Sequence, residues 1–307
     1  LNMVTDMYSL PAYGTVDPNP LMAPFFIIFY GMMMADMGYG LIMMGLSAFI
    51  MKKAKPNGAT MRYMIPLMGL CGVSTFIWGA LTGGFFGDFL TQAVSILTKG
   101  QSSFVLPTLF SPLDDAVNVL IGALILGVIQ VFTGMIVSMC KQFKRGETMA
   151  ALCNEGAWFL AFIAAGVGFA VGNVSMGLIA ALVILLITQG YGKKGFGIVT
   201  GIFGALYNGI TGYFSDILSY SRLMALMLAG AVVAQVFNQL GAMTGNIITF
   251  VIIAIIGNAL NFALNILGCY VHDMRLQCLE FFGRFYEDGG KPFRPLNIEA
   301  KFVDIEK

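Results

Sequence analysis

Long apolar blocks alternate with short charged segments along this sequence. One block, 21–52, is interrupted by a charge at Asp36 and by two glycines, Gly38 and Gly40. The other blocks approach or exceed the ~20 apolar residues that a helix needs to cross ~30 Å of hydrocarbon. They lie at about 62–90, 116–140, 150–171, 174–190, 197–240 and 246–286. The pattern predicts an all-α polytopic membrane protein whose last two helices are long and strongly tilted.

The Lys and Arg residues between these blocks indicate how the spans are oriented. Two spans separate each basic cluster from the next, so the positive-inside rule assigns all four clusters to the cytoplasm. The loop 91–115 has few charges and suits the outer face. The clusters are Lys52, Lys53, Lys55 and Arg62; Lys141, Lys144 and Arg145; Lys193 and Lys194; and Arg284, Lys291 and Arg294.

Two arrangements fit the interrupted block 21–52. A hairpin that turns near Asp36 gives eight spans and a cytoplasmic N-terminus, whereas one tilted helix gives seven spans and an external N-terminus. Each half of a hairpin has only about 15 residues, but short helices are tolerated in thinned lipid or beside other protein. We therefore expect eight spans with both termini in the cytoplasm.

Composition excludes several other classes of protein. Hydrophobic residues make up 58% of the chain and charged residues 11%, against about 25% charged in soluble domains; the mean hydropathy is +0.82. A net charge of +1 gives no electrostatic basis for binding nucleic acid. The 5 scattered cysteines and 21 methionines indicate packing residues, so we expect no metal, disulfide or cofactor.

A single arginine, Arg222, lies deep in the block 197–240. As one helix this block would be about 66 Å long, so it must tilt, break or project from the membrane. An intramembrane charge costs ~2.5–3.5 kcal/mol or more and usually marks an ion or substrate pathway. Ser215, Ser219, Arg222 and Ala229 share one helix face. Ser219 can hydrogen-bond the guanidinium group but cannot neutralise it.

Further polar residues accompany Arg222 in the last two blocks. Asp216 is six residues away, too far for an ideal ion pair within one helix. Asn258, Asn261 and Asn265 follow helical spacing on one face. The remaining candidates for the walls of a pathway are Gln235, His272, Asp273, Arg275, Gln277 and Glu280.

Counting inward from the outer ends of the two blocks predicts which residues lie level. Asn265 then lies at the depth of Arg222, and Arg275 lies about 15 Å nearer the cytoplasm than Asn265. By contrast, we interpret Asp88, Asp114 and Glu155 as residues at helix ends.

Three interpretations of this polar set differ in function. The set can form an ion pathway, the midplane site of a secondary transporter, or an internal brace that only holds helices together. The sequence contains no G-x-x-x-x-G-K-[ST] nucleotide-binding motif and no convincing internal repeat of the kind common in transporters. The chain is therefore not expected to contain a catalytic centre of its own.

The motif around Arg222 resembles a known family. Residues 219–226, with the sequence SYSRLMAL, are similar to the arginine-bearing helix of subunit a, also called subunit I, of V-type and archaeal-type rotary ATPases. The segment 272–295, which begins HDMRLQCLEF, resembles the C-terminal signature of that family. Residues 34–40 resemble its first hairpin turn, and 84–88 lie where it has a further Gly/Asp motif. The resemblance covers essentially the whole chain.

The resemblance implies a stator subunit beside a rotating ring of proteolipid subunits, each carrying one membrane carboxylate. Arg222 matches the arginine that pairs with the passing carboxylate between two half-channels, and Arg275 matches the second arginine of the final helix. A fixed cation favours the deprotonated carboxylate and so releases its H⁺ or Na⁺. Two departures, Gly230 for a histidine and Asn265 for a glutamate, mean that the eukaryotic proton relay cannot be carried over.

The resemblance also implies how the chain is organised and placed. Residues 1–20 are expected to lead from a cytoplasmic N-terminal half that would contact a peripheral stalk and the cytoplasmic ATPase sector. Residues 21–190 would form an N-terminal transmembrane bundle, 197–286 the two long helices of the ion pathway, and 287–307 a cytoplasmic tail. The expected location is the plasma membrane of a prokaryotic cell.

Overall fold

A computed structural model describes most of the chain. The described residues are 5, 8–12, 14–15, 17–53, 59–98, 106–146, 148–189 and 197–290. Within them the chain is 83% helical and has no strands, which confirms the all-α fold. The basic residues Lys55, Lys193, Lys194, Lys291 and Arg294, and the tail beyond Gly290, lie outside the described residues.

The longer helices are numbered α1 to α10 in chain order. They are α1 (Asn19–Met34), α2 (Met37–Lys53), α3 (Ala59–Thr82), α4 (Phe89–Leu97), α5 (Ala116–Lys144), α6 (Ala157–Ala170), α7 (Val174–Gln189), α8 (Gly197–Ser219), α9 (Ser221–Ala242) and α10 (Ile247–Arg275). A π-helical turn at Leu152–Gly156 precedes α6. Another, at Leu276–Phe281, extends α10 into a last short helix, Phe282–Phe285.

Four helical stretches of the described chain are long and apolar enough to cross a membrane. They are Met61–Thr82, Ala116–Lys144, Ile202–Ala242 and Ile247–Phe285. Three shorter apolar helices are Asn19–Met34, Ala157–Ala170 and Val174–Thr188. The chain is thus a polytopic membrane protein, and eight crossings remain a prediction.

Two helix boundaries differ from the sequence prediction. Helix α3 ends at Thr82 rather than near 90, because Gly83, Phe86 and Gly87 all adopt positive φ and break the helix. The segment predicted as an outer loop, 91–115, contains most of α4. The long block 197–240 is broken at Tyr220 into α8 and α9, which is one of the arrangements that its length predicted.

Helices α1 and α2 form a hairpin on α3. A Cβ atom at Gly31 in α1 would overlap Ser74, and one at Gly40 in α2 would overlap the backbone of Phe76. Between them, Thr82 donates a hydrogen bond to the carbonyl oxygen of Ala35 at 3.1 Å. Helix α1 therefore runs along α3 in one direction, the chain reverses at Ala35 and Asp36, and α2 returns along α3 in the opposite direction.

The buried carboxylate of Asp36 holds the turn of this hairpin. One oxygen accepts hydrogen bonds from the backbone N–H groups of Gly38 and Tyr39 at 2.8 and 3.2 Å, which caps α2. The same carboxylate accepts from the N–H groups of Phe86 and Gly87 at 3.0 and 2.8 Å. Asp36 therefore fixes the turn and the loop after α3 to each other.

Helices α9 and α10 form an antiparallel pair, and α1 packs along α10. Asn246 caps α10 by accepting from the N–H of Ile248 at 3.1 Å. The rings of Phe26 in α1 and Tyr270 in α10 meet edge to face at 6.3 Å. Tyr220, at the break between α8 and α9, is fully buried and meets Phe29 of α1 at 5.8 Å. The core therefore lies where α1, α5, α9 and α10 meet.

Segments from the two ends of the described chain lie together. The N–H of Ala12 donates to the carbonyl oxygen of Glu287 at 3.0 Å, and the N–H of Gly290 donates to that of Leu10. Hydrogen bonds from Arg145 and Lys141 lower the pKa of the Glu287 carboxyl to about 2. Glu287 and the two end segments therefore lie at the same end of the bundle as the basic end of α5.

The close contact of α3 with the hairpin turn predicts a sensitive glycine. A Cβ atom at Gly79 would overlap the backbone of Asp36 and Met37, whereas one at Gly45 in α2 would meet nothing within 4 Å. We expect Gly79→Ala to destabilise the protein by ~1–3 kcal/mol because overpacking displaces backbone. The thermal unfolding midpoint in detergent measures this. Gly45→Ala is the control, and equal midpoints for the two variants would contradict the packing described.

Candidate functional site

The pairing of α9 with α10 determines which residues face Arg222. Successive contacts join Phe250 with Gly241, Phe237 with Gly257, Asn265 with Gly230 and Leu226 with Gly268. This register continues to place Arg222 level with His272. The prediction that Asn265 lies level with Arg222 is therefore wrong by about two turns, because the first turn of α10 extends beyond the end of α9.

The corrected register brings the two predicted arginines close together. Arg222 interacts electrostatically with Arg275 and Glu280, and His272 lies near both arginines. Arg275 is only three residues beyond His272, or about 4.5 Å of helix rise. The separation of about 15 Å implied for Arg222 and Arg275, when Asn265 was taken as level with Arg222, is therefore also wrong. Its side chain is exposed. One guanidinium nitrogen of Arg222, Nη1, is buried without a hydrogen-bond partner among the described residues.

Polar residues from the end of α8 and from the segment after α10 form an inner cluster on one side of Arg222. Ser219 donates to the carboxylate of Glu280, whereas the sequence indicated only that it could hydrogen-bond the Arg222 guanidinium. Asp216 forms an ion pair with Arg284 of the last short helix. The Arg284 guanidinium also stacks on the ring of Tyr213 at 3.9 Å. The inner cluster therefore contains acidic groups from α8 and from the π-helical turn after α10, and a basic group from the last short helix.

Glu155 joins this inner cluster from the π-helical turn before α6. Its Oε2 atom accepts a hydrogen bond from Tyr213 at 3.3 Å. Its sequence position suggested only a helix-end residue, but the structure places it against a residue that Arg284 contacts. The inner cluster is defined as Glu155, Tyr213, Asp216, Ser219, Glu280 and Arg284.

A separate chain of buried side chains crosses the bundle beside Arg222. Tyr220 donates to Oε1 of Gln130 in α5 at 2.8 Å, and Nε2 of Gln130 donates to Oε1 of Gln277 at 2.6 Å. Gln277 in turn donates to Oδ1 of Asp273 at 3.3 Å. All four residues are fully buried. Asp273 and Gln277, both predicted as pathway residues, thus lie inside the protein.

An outer network of amides lies on the other side of Arg222. Asn261 donates to the hydroxyl of Tyr39 and to the carbonyl oxygen of Gly230, both at 3.0 Å. Tyr39 donates to Asn258 at 2.8 Å, and Asn265 donates to Asn261 at 3.2 Å. The hairpin tyrosine therefore joins Asn258 to Asn261, and Asn265 is bonded directly to Asn261.

The outer network continues toward the loop after α3. Asn258 donates to Asn238 of α9 at 3.1 Å, and Asn238 donates to Asp88 at 3.0 Å. Asp88, which the sequence suggested was only a helix-end residue, also accepts from Gln92 at 2.9 Å. The outer network is defined as Tyr39, Asp88, Asn238, Asn258, Asn261 and Asn265.

A cavity of about 190 Å³ adjoins the outer network. Its lining includes Asp36, Tyr39 and Asp88 as well as Gln235 and Gly230, and Gly230 lies against Asn265. Its volume is sufficient for several water molecules. The cavity therefore connects the loop after α3 with the level of Asn265, two turns above Arg222.

Most of the predicted site residues belong to one of these groups. Ser215 does not, because its side chain is exposed on α8. The site also contains residues that the sequence pattern did not indicate, namely Tyr39, Gln130, Tyr213, Tyr220, Asn238 and Arg284. A lone glutamine in the middle of an apolar span is a signal that could have identified Gln130, because a buried amide in lipid requires a partner.

These features define a polytopic membrane protein with an intramembrane arginine between two separate polar regions. Curated relatives have names that fit this class. The chain is 34% identical to the A-type ATP synthase subunit I of Methanocaldococcus jannaschii, over 98% of this chain and 48% of the relative. The A-type ATP synthase subunit I of Pyrococcus horikoshii is 29% identical over 99% of this chain and 46% of the relative.

A bacterial relative agrees with the archaeal ones. The V-type ATP synthase subunit I of Chlamydia pneumoniae is 23% identical over 99% of this chain and 54% of its own length. No protein-family model matches the chain. The resemblance predicted from the sequence is confirmed by these names, and the chain spans about half the length of the curated relatives it matches.

The outer network predicts a stabilising role for the Tyr39 hydroxyl. We expect Tyr39→Phe to lower the free energy of unfolding by about 1–3 kcal/mol, because buried amides of Asn258 and Asn261 lose a partner. Denaturation of the detergent-solubilised protein measures this loss. The control is Tyr30→Phe, since the Tyr30 hydroxyl makes only a 3.5 Å contact with a helix carbonyl. If Tyr39→Phe lowers the free energy of unfolding no more than Tyr30→Phe does, the described hydrogen bonds of Tyr39 are contradicted.

Proposed function

We propose that this chain is the membrane part of subunit a (subunit I) of a V-type or archaeal-type rotary ATPase. In this proposal it translocates H⁺ or Na⁺ between two half-channels that Arg222 separates. The observation that carries the proposal is the position of Arg222 between the inner cluster and the outer network, with a buried nitrogen that has no partner among the described residues.

The outer half-channel consists of the cavity and the residues around it. Water in the cavity would reach Gly230 and the neighbouring amide of Asn265. Beyond Asn265 the path continues along α10 toward His272 and Arg222. The amides of the outer network already bind one another, so they position the wall of the channel and leave transport to water or a hydrated ion.

The inner half-channel follows the inner cluster. Glu280 accepts from Ser219 while its second oxygen, Oε2, has no partner among the described residues. Glu280 also interacts electrostatically with Arg222, so this carboxylate connects the inner cluster to the arginine. Asp216 and Arg284 extend the cluster away from Arg222.

The partner of Arg222 in this proposal is a carboxylate on a proteolipid rotor ring. The exposed Arg275 side chain lies about one turn from the level of Arg222, which gives the ring a surface with two cations. A carboxylate that arrives there is stabilised in its charged form and releases its ion. The peripheral stalk and the cytoplasmic ATPase sector are further proposed partners of the complete subunit.

Replacement of Arg222 tests the proposal directly. In the assembled complex in vesicles, we expect Arg222→Gln to reduce ATP-driven ion uptake by about a hundredfold, the order of loss when a preorganised charge is removed. Arg275→Gln should cause a smaller loss because its side chain is exposed. Arg145→Gln, at the cytoplasmic end of α5, is the control. Unimpaired uptake by Arg222→Gln would overturn the proposal.

The proposed orientation places both described ends in the cytoplasm of a prokaryotic cell. Leu109, in the loop before α5, is 79% exposed, and Lys144 is exposed at the other end of α5. With the native cysteines replaced by serine, we expect Leu109→Cys to react with a membrane-impermeant maleimide in intact cells. Lys144→Cys should react only after permeabilisation, and the reverse pattern would contradict the orientation.

A further inference from the structure

Gln130 is the one residue of the buried cross-bundle chain that binds both arginine-bearing segments directly. Its Oε1 accepts from Tyr220, two residues before Arg222, and its Nε2 donates to Gln277, two residues after Arg275. It belongs to α5, which carries neither arginine. We propose that Gln130 is a positioning residue that sets the separation of Arg222 and Arg275. This inference rests on the function proposed above.

The backbone is irregular at both points that Gln130 binds. At the break between α8 and α9, the N–H of Tyr220 donates to Ile217 and the N–H of Leu223 donates to Tyr220, at 3.1 and 3.0 Å. These are bonds to the third preceding residue, tighter than those of an α-helix. Gln277 lies in the π-helical turn that follows α10. Neither segment is therefore held by regular α-helical hydrogen bonds alone. A side chain from a third helix can fix the position of both segments.

Helix α5 presents a fitted surface to the break. A Cβ atom at Gly127 would overlap the ring of Tyr220, so the ring occupies the space left by that glycine. Gln130 lies on the same face one turn further along α5. Gly134, after another turn, leaves space beside Phe281 and Arg284. This face of α5 thus contacts Tyr220, just before the Arg222 helix, and Gln277, Phe281 and Arg284, just beyond Arg275.

Burial makes these hydrogen bonds specific. Tyr220, Gln130 and Gln277 are each fully buried, and lipid offers no substitute partner for a polar group. An apolar residue of similar size would fill the same space, so packing alone does not require an amide. The amide matters because one end accepts and the other donates, which joins the α8–α9 break to the end of α10.

The test compares Gln130→Met with Thr133→Val in the complete rotary complex. Methionine keeps the length of the side chain but removes both hydrogen bonds. Thr133 lies on the same helix, is half-buried, and among the described residues its hydroxyl bonds only to its own helix, at Ile129. The measurements are the amount of assembled complex, the ions taken up per ATP hydrolysed, and the passive ion leak under an imposed gradient.

We expect Gln130→Met to lower the ions moved per ATP by about threefold or more, because small displacements of a reacting group reduce its efficiency strongly. The passive leak should rise, while the assembled amount equals that of Thr133→Val. A loss of assembled complex with an unchanged ion-to-ATP ratio would show a structural role only and would overturn the inference.

Tyr220→Phe covers the case in which Gln130→Met does not assemble. It keeps the ring in its site and removes one hydrogen bond, so we expect the same change in ratio and leak at smaller size. A ratio equal to that of Thr133→Val would overturn the inference. Arg222→Gln, measured alongside, separates the two proposals. Normal ion uptake by Arg222→Gln would refute the proposed function. Loss of uptake by Arg222→Gln together with a normal ion-to-ATP ratio for Gln130→Met would refute this inference alone.

Discussion

The antiparallel pairing of α9 with α10 is the constraint on which the polar interior depends. Glycines on each helix face larger side chains of the other across this contact, so the helices approach closely and the amide of Asn261 reaches a backbone oxygen of α9. That bond, to the carbonyl oxygen of Gly230, is 3.0 Å long. A shift of one turn would leave the Asn261 amide without this partner. The same register places Arg222 beside His272, between the two polar groups.

Asp36 shows how non-helical backbone is tolerated at membrane depth. The loop after α3 contains a positive φ at Phe86, a strained value for a residue with a side chain. Four backbone N–H groups from the hairpin turn and from this loop converge on the Asp36 carboxylate. Irregular backbone within a membrane is stable only where the protein itself satisfies its polar groups. The cavity also lies beside this loop.

Hydropathy predicted the helices well because lipid imposes a simple length requirement. Each apolar block corresponds to helical structure, and the charge at Asp36 coincides with the reversal between α1 and α2. Boundaries were less accurate, since Gly83 and Gly87 end α3 through local φ angles that an apolar pattern does not encode. The relative depth of Arg222 and Asn265 was wrong because counting from block ends assumes that both helices begin at one level.

Contacts between distant residues were not predictable from the periodicity of single helices. Asp216 was judged within its own helix, where Arg222 is badly placed for an ion pair, but its partner Arg284 is 68 residues away. Gln130 has no polar neighbour in α5 that would reveal Tyr220 or Gln277. In each case the sequence identifies a polar residue that needs a partner, and only the packing of the helices determines which partner it has.

The corrected position of Arg275 changes the electrostatics of the site. Two guanidinium groups about a turn apart repel each other, and desolvation strengthens that repulsion relative to water. Glu280 offsets part of it, since it interacts electrostatically with Arg222, but Glu280 also accepts from Ser219. Among the described residues, two cations therefore face one carboxylate. The repulsion between Arg222 and Arg275 is reduced when another anion approaches the exposed side of Arg275. In the proposed function a rotor carboxylate would supply that charge without remaining bound to either arginine.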